Sequence, residues 1–143
     1  MSSKGALLAG RVIVIIGGTT GLGLSAAQAC GRAGALVVVT GRNSESVRAA
    51  AAALGPTGAA LAGDATDSAH APAAIALALE RFGGFHGLYH VAGGSGRRMG
   101  DGPLHEITDE GLRATLELNL HSVIFSNRAA VRQFLAEQGF TMR

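Results

Sequence analysis

Three glycines with regular spacing follow an apolar run near the start of the chain. Val12–Ile16 reads VIVII, and glycines then stand at positions 17, 21 and 23, a GxxxGxG spacing. Where a strand turns straight into a helix, free N–H groups and the positive end of the helix dipole face the space beyond the strand, and an anion can bind there. Side chains would obstruct the tight turn at Gly17, the approach of a pyrophosphate at Gly21, and the packing of helix on strand at Gly23. The spacing therefore favours a dinucleotide phosphate site over an ordinary strand-to-helix turn.

Residues around these glycines and after the second predicted strand indicate which cofactor to expect. Thr19 and Thr20 would place hydroxyl groups beside the phosphates, and Leu22 belongs to the same predicted site. Folds that bind NAD usually carry an acid at the end of the second strand, where it accepts hydrogen bonds from the ribose 2′-hydroxyl. Gly41 occupies that position here, and Arg42 follows with a guanidinium suited to a phosphate. NADP(H) is therefore favoured over NAD(H), the alternative being that Arg42 is a solvated turn residue.

Strand and helix patterns alternate along the chain, and this alternation predicts the elements that position the site. Apolar runs predict strands over Val12–Ile16, 35–39, 59–62 and 88–92, and helical spacing predicts helices over 22–33, Ser44–Leu54, 67–82 and 108–138. We expect helices to start at polar residues and to end at glycines: Ser44, Asp67 and Thr108, then Gly34, Gly55 and Gly139. Continuously apolar strands are typical of a parallel sheet buried on both faces. The predicted fold class is therefore α/β, a doubly wound parallel sheet.

The composition narrows the class of protein. The chain has 143 residues and 48% hydrophobic residues, which suits one domain over residues 1–143. Its cations are scattered arginines without a basic block, so we expect no nucleic-acid partner. The single Cys30 excludes an internal disulfide, and no apolar run is long enough for a membrane span. We expect a soluble, cytoplasmic protein.

Four motifs in order resemble the short-chain dehydrogenases and reductases. GxxxGxG is their pattern after the first strand, and Asp64 in GDATD, followed by Ala65, is similar to their acidic residue that holds adenine. HVAGG over 90–94 is similar to their Asn-Asn-Ala-Gly turn, where the backbone of Ala92 and Gly93 would approach the cofactor. LNLHSVIFSNRAAV resembles their long interface helix and places Asn119 at the catalytic asparagine. The resemblance implies hydride transfer between nicotinamide and a carbonyl or alcohol substrate.

The sequence departs from this family at two places. His90 and Val91 stand where the family has two asparagines; His90 could donate one of the missing hydrogen bonds, but Val91 cannot. The catalytic serine and the Tyr-x-x-x-Lys pair are also absent, because Tyr89 lies in the fourth predicted strand and Lys4 near the start. The chain therefore resembles the cofactor-binding half of the family, truncated after its fourth strand and long helix. A non-enzymatic nucleotide-binding or interaction module is the competing interpretation, and a fragment that does not fold alone is a third.

Two further expectations concern partners and metals. If the strand order is 3-2-1-4, the fourth strand lies at an edge. The last helix also carries more apolar residues than half a sheet can bury: Leu116, Leu118, Leu120, Val123, Ile124, Phe125, Val131, Phe134 and Leu135. We therefore expect a homo-oligomer. His86 and His90 are four residues apart; in a strand this spacing separates them by roughly 13 Å, and a metal-binding pair at this spacing needs a helix, so we expect no metal site.

Overall fold

The computed structural model describes residues 6–139, and its strands and helices alternate as the sequence predicts. The strands are β1 (Val12–Ile16), β2 (Leu36–Gly41), β3 (Gly58–Ala62) and β4 (Gly87–His90). The helices are α1 (Gly21–Arg32), α2 (Ser44–Leu54), α3 (His70–Phe82), α4 (Asp109–Leu116) and α5 (Ser122–Glu137). Short 3₁₀ turns lie at Gly55–Thr57 and Arg97–Met99.

The strands form one parallel sheet in the order β3-β2-β1-β4. Val14 in β1 pairs with Val38 in β2 on one side and with Leu88 in β4 on the other. The predicted order is therefore confirmed. Because the chain adds strands first on one side of β1 and then on the other, the carboxyl ends of β1 and β4 form a topological switch point, where doubly wound folds bind ligands.

Helices cover both faces of the sheet. On one face Val14, Ile16 and Val38 pack against buried residues of α3 and α5, including Ala74 and Ala130. On the other face Ile15, Val37 and Val39 pack against Ala27 of α1 and Ala50 of α2. Alternate residues of each central strand thus enter opposite cores, which is why those strands read as continuously apolar. The predicted fold class, a doubly wound parallel sheet, is confirmed.

The predicted bounds Ser44–Leu54 are confirmed for α2, but two of the predicted N-terminal caps, Ser44 and Asp67, are wrong. The N-cap of α2 is Asn43 instead of Ser44, since the Asn43 Oδ1 atom accepts hydrogen bonds of 2.9 Å from the amides of both Glu45 and Ser46. Helix α3 begins at His70 and not at Asp67. Asp67 instead closes the preceding turn: its Oδ1 atom accepts from the Ala69 amide at 2.9 Å. A short polar side chain can cap a turn as well as a helix, and the local pattern does not distinguish the two.

The long helix predicted over 108–138 is continuous but changes its winding. Thr108 is its N-cap, as predicted, and its Oγ1 atom accepts from the Gly111 amide at 3.0 Å. A π-helical turn, Glu117–His121, separates α4 from α5 and contains Asn119. Such π-helical turns often lie at functional sites. The predicted helix ends at Gly34, Gly55 and Gly139 are confirmed by positive φ angles of 92°, 61° and 75°.

Candidate functional site

A cavity of about 750 Å³ opens at the carboxyl ends of the four strands. Every predicted cofactor-binding residue except Gly23 lines it: Gly17, Thr19, Thr20, Gly21, Leu22, Arg42, Asp64, Ala65, Ala92 and Gly93. Sequence analysis missed Thr40, Asn43, Ser46, Gly63 and Leu118, and it did not assign Val91 to the site. Most of these immediately precede or follow predicted site residues, so their position at a strand end was the available signal. Ser46 and Leu118 belong to helices, and only the tertiary structure brings them to the cavity.

Each of the three positions in the GxxxGxG motif requires glycine for a different structural reason. Gly17 has φ of 85°, and a Cβ atom there would lie 2.6 Å from the amide nitrogen of Ala92. A Cβ atom at Gly23 would collide with the carbonyl oxygen of Gly17. Gly21 has φ of 53°, but nothing lies within 4 Å of its Cβ position. Gly17 and Gly23 therefore allow close packing of the turn, whereas Gly21 leaves the backbone open to the cavity.

Thr20 and the start of α1 face this open space. Thr20 is the N-cap of α1 with φ of −146° and ψ of 168°, yet its side chain makes no capping hydrogen bond. Thr20 is exposed and lines the cavity. The first amides of α1 lack intrahelical partners, and the positive end of the helix dipole lies here. This end of the cavity suits a phosphate group.

The end of the cavity beside β2 is shaped by Thr19 and Gly41. Thr19 is buried, and a Cβ atom at Gly41 would collide with its Oγ1 atom. The Ser46 hydroxyl donates to that same oxygen at 3.4 Å. Arg42 is exposed and, within residues 6–139, makes no ion pair with a carboxylate. Here the cavity wall has an unpaired guanidinium and no acid at the end of β2.

Asp64 follows β3 and is held as a carboxylate. Its Oδ1 atom accepts from the Thr66 amide at 2.9 Å and from the Thr66 hydroxyl at 2.8 Å. The amide hydrogen bond is the main cause that holds the pKa of Asp64 below its ordinary 3.8, and the positive charge of Arg42 lowers it further. Asp64 is therefore ionised at neutral pH and can accept hydrogen bonds from a ligand.

Asn119 does not line the cavity, but its side chain forms hydrogen bonds with the backbone of the loop after β4, beside the cavity. Its Oδ1 atom accepts from the Gly94 amide at 2.9 Å, and its Nδ2 atom donates to the Gly94 carbonyl at 2.8 Å and the Thr115 carbonyl at 2.9 Å. A Cβ atom at Gly93 would lie 2.9 Å from this Oδ1 atom, so the glycine permits the contact. The side-chain amide uses both of its hydrogens on the backbone, and the catalytic role of Asn119 stays a prediction.

His90, at the end of β4, makes hydrogen bonds to the turn after its own strand and to α5 and not to a neighbouring strand. Its Nε2 atom lies 2.9 Å from the Ala92 carbonyl oxygen, and its Nδ1 atom lies 2.8 Å from the Ser126 hydroxyl. Burial lowers the pKa of His90 below 6.5, against the opposing effect of the Ala92 carbonyl. His86 lies at the other end of β4, where its Nδ1 atom accepts from the Val12 amide at 2.9 Å. Within residues 6–139 no three His, Cys, Asp or Glu side chains are grouped to hold a metal ion.

The fold and the cavity define a class, the dinucleotide-binding α/β proteins with a doubly wound sheet. Comparison with known proteins then identifies the family. A family model described as short chain dehydrogenase matches residues 11–140. The chain belongs to the short-chain dehydrogenase family, whose members use nicotinamide cofactors and act on small molecules. No curated protein matches the chain.

Solved structures give the same assignment. A short-chain dehydrogenase/reductase double mutant from Serratia marcescens is 26% identical with a TM-score of 0.78. The match covers 88% of this chain and 51% of the Serratia chain. A short-chain dehydrogenase/reductase described as glucose/ribitol dehydrogenase, from Brucella melitensis, is 29% identical with a TM-score of 0.78. The match covers 88% of this chain and 51% of the Brucella chain. A short chain dehydrogenase from Bacillus anthracis is 22% identical with a TM-score of 0.79, and the match covers 94% of this chain and 53% of the Bacillus chain. At this identity the similarity shows the fold alone. The chain thus spans about half the length of these structures.

No helix within residues 6–139 has the length and apolar character needed to cross a membrane.

Proposed function

We propose that this chain is the cofactor-binding half of a short-chain oxidoreductase, that it binds NADP(H), and that the reaction it serves is hydride transfer with a carbonyl or alcohol substrate. The observation that carries this proposal is the open backbone at Gly21. A Cβ atom there would meet nothing within 4 Å, and the residue lines a cavity at the start of α1. The cavity volume of about 750 Å³ falls in the range of small-molecule and cofactor sites.

Each part of the cofactor has a corresponding part of the cavity. The amides at the start of α1, with the Thr20 hydroxyl, would bind the pyrophosphate. Asp64 would accept a hydrogen bond from the adenine, and the backbone at Ala92 and Gly93 would lie beside the nicotinamide ribose. When bound, the nicotinamide supplies or accepts the hydride. The chain's own residues bind and orient the cofactor.

The preference for NADP(H) rests on the end of β2. Arg42 has no carboxylate partner within the described residues, so its guanidinium is available for a 2′-phosphate. An acid at Gly41 that could select NAD(H) has no room unless Thr19 moves.

The test is a fluorescence titration of the chain with NADPH and with NADH. Arg42→Ala should weaken NADPH binding by roughly ten- to a hundredfold, the effect of losing a hydrogen bond to a charged group, and should leave NADH binding unchanged. Arg48→Ala is the matched control, because Arg48 is an exposed arginine of α2 outside the cavity. Equal binding of both cofactors by the unmodified chain would refute the preference, and binding of neither would refute the proposed function.

A catalytically inactive nucleotide-binding or interaction module is the second candidate. One observation favours it: both hydrogens of the Asn119 side-chain amide are donated to backbone carbonyls. Turnover distinguishes the two functions. Measured NADPH oxidation with a panel of carbonyl compounds by the native protein would support the oxidoreductase, whereas binding without turnover would support the module.

We also propose a homo-oligomer, supported by a stripe of exposed apolar side chains. Along α4, the π-helical turn and α5, exposed apolar side chains recur every four residues with exposed fractions of 41–50%: Leu112, Leu116, Leu120 and Ile124. Val131 continues the stripe and is 54% exposed. An exposed apolar surface of this kind is typical of a protein interface. Light scattering at micromolar concentration should give the mass of at least two chains, and a monomer mass would contradict the proposal.

A further inference from the structure

The turn that follows β4 is joined to helix α5 by one side chain, that of His90. The imidazole bridges three groups: the Ser126 hydroxyl at 2.8 Å, the Ala92 carbonyl at 2.9 Å and the Ser122 hydroxyl at 3.3 Å. Ser122 and Ser126 are one turn apart on α5. The ring therefore connects the end of a strand, the turn after it and the facing helix.

The chemistry of these partners determines the direction of each hydrogen bond. The Ala92 carbonyl can only accept, so the Nε2 atom of His90 carries a hydrogen and donates it. Burial lowers the pKa of His90, so the ring is neutral at pH 7 and its Nδ1 atom is an acceptor. With this tautomer the Ser126 hydroxyl donates its one hydrogen to Nδ1 at 2.8 Å, and not to the Val123 carbonyl 3.1 Å away. The nearest partner of Nδ1 is the Ser126 hydroxyl and that of Nε2 is the Ala92 carbonyl, with the Ser122 hydroxyl farther from Nε2 at 3.3 Å, and these contacts define one orientation of the imidazole.

A small-residue stripe on α5 makes this contact possible. Ser122, Ser126 and Ala130, each four residues apart, are all buried. Ser122 and Ser126 are 0% and 1% exposed, so neither can reach a substrate as a nucleophile despite its contact with a histidine. The serine–histidine group is therefore a structural connection and not a catalytic one.

The turn held in this way forms one wall of the candidate cofactor cavity. Val91, Ala92 and Gly93 all line the cavity. The amides of Val91 and Ala92 both donate to the Ile16 carbonyl, at 2.8 and 2.9 Å, and Ala92 lies directly against Gly17 of the glycine-rich turn. A shift of the Ala92 carbonyl would therefore move both the turn after β4 and its contact with the turn after β1.

We propose that His90 is a positioning residue that holds the turn over residues 91–94 in the geometry required by the cofactor, through its hydrogen bonds to Ala92 and Ser126. This role rests on the proposed function and extends it to a residue that does not itself line the cavity. Asn119 fixes the far end of the same turn at Gly94.

The test compares variants of the full chain in two measurements, the dissociation constant for NADPH and the amide hydrogen exchange of Ala92 and Gly94. His90→Phe removes both hydrogen bonds but fills the space, and Ser126→Ala removes the Nδ1 partner alone. Tyr89→Phe is the control on the same strand, because Tyr89 is 47% exposed and lies outside the cavity. Val38→Ala destabilises the buried core away from the cavity and controls for loss of stability.

We expect His90→Phe to weaken NADPH binding about tenfold, the effect of about one net hydrogen bond, and Ser126→Ala to have a smaller effect. His90→Asn should recover part of the loss, because an amide retains a donor and an acceptor. Exchange at Ala92 and Gly94 should rise more in His90→Phe than in Val38→Ala. The role is refuted if His90→Phe and Val38→Ala change both measurements alike. If the unmodified chain binds no NADPH, the proposed function fails, and the exchange rates alone still decide the role of His90.

Discussion

Exchanging glycine for alanine at two positions of α1 should have opposite effects on stability. Gly23 and Gly31 both lie in this helix. A Cβ atom at Gly23 would collide with the Gly17 carbonyl oxygen and lie 2.8 Å from the Gly18 Cα atom. At Gly31 it would meet nothing within 4 Å. The two substitutions add the same methyl group to the same helix, so the difference between them measures the close packing at Gly23.

The size of the difference follows from what each methyl group meets. The turn at Gly17 and Gly18 cannot yield easily, because both amides donate to the Thr40 carbonyl, at 3.1 and 2.9 Å. Gly23→Ala must therefore displace α1 from β1, which we place at about 3 kcal/mol of destabilisation, the upper part of the range for overpacking. Gly31→Ala should stabilise by roughly 0.5–1 kcal/mol, because alanine loses less backbone entropy in a helix. The two variants should differ by about 3.5–4 kcal/mol.

Thermal unfolding followed by circular dichroism measures this difference. For a chain of this size we take a change of 1 kcal/mol to shift the melting temperature by about 4 °C, so Gly23→Ala should melt on the order of 15 °C below Gly31→Ala. Gly23→Ala should also bind NADPH more weakly, since the displaced helix carries the proposed phosphate site. Melting temperatures within about 2 °C of each other would show that the turn adapts to the methyl group, and the packing argument would be wrong.

Two other predictions concern the cavity and the buried histidines. Gly21→Ala should lower stability by only about 1 kcal/mol, the cost of a positive φ, yet weaken NADPH binding at least tenfold because the methyl group enters the open space; unchanged binding would show that no phosphate lies there. Burial lowers the pKa of His70 and of His90 below 6.5, so the folded chain binds these protons less readily than the unfolded chain. Stability should therefore be constant above about pH 6.5 and fall as the pH drops below it, which urea unfolding at about pH 7.5 and about pH 5.5 measures. His90→Asn should reduce this dependence while His70 retains its share, and equal stability at both pH values would contradict both assignments.

The local pattern of apolar and polar residues was sufficient to predict most of the fold. Val12–Ile16 and the valines of β2 are apolar at every position because each side of the strand enters a core, and this is visible without a structure. The strand order was also predictable, because the family resemblance and the alternation of strands and helices leave few topologies. The capping residue of α2 was wrong by one position and the start of α3 by three, since neighbouring polar side chains compete for the same free amides.

Most of the candidate cavity was also predictable, because the residues that follow parallel strands meet at one edge of the sheet. Arg42 and Asp64 could be placed there from their position after a strand alone. Ser46 could not, because it enters from the first turn of α2 and its contact with Thr19 depends on how that helix packs.

The sequence by itself determined the alternation of strands and helices, the glycine turn after β1 and the family of the chain. These depend on residue types at short, regular spacing, because the period of a helix or a strand decides which neighbouring side chains share a face. Only the tertiary structure decided which side chains fill the gaps between elements: Thr19 over Gly41, His90 against Ser126, and Asn119 on Gly94. The last two pairs are 36 and 25 residues apart, so their contacts depend on the distance and angle between packed elements, which no local pattern specifies.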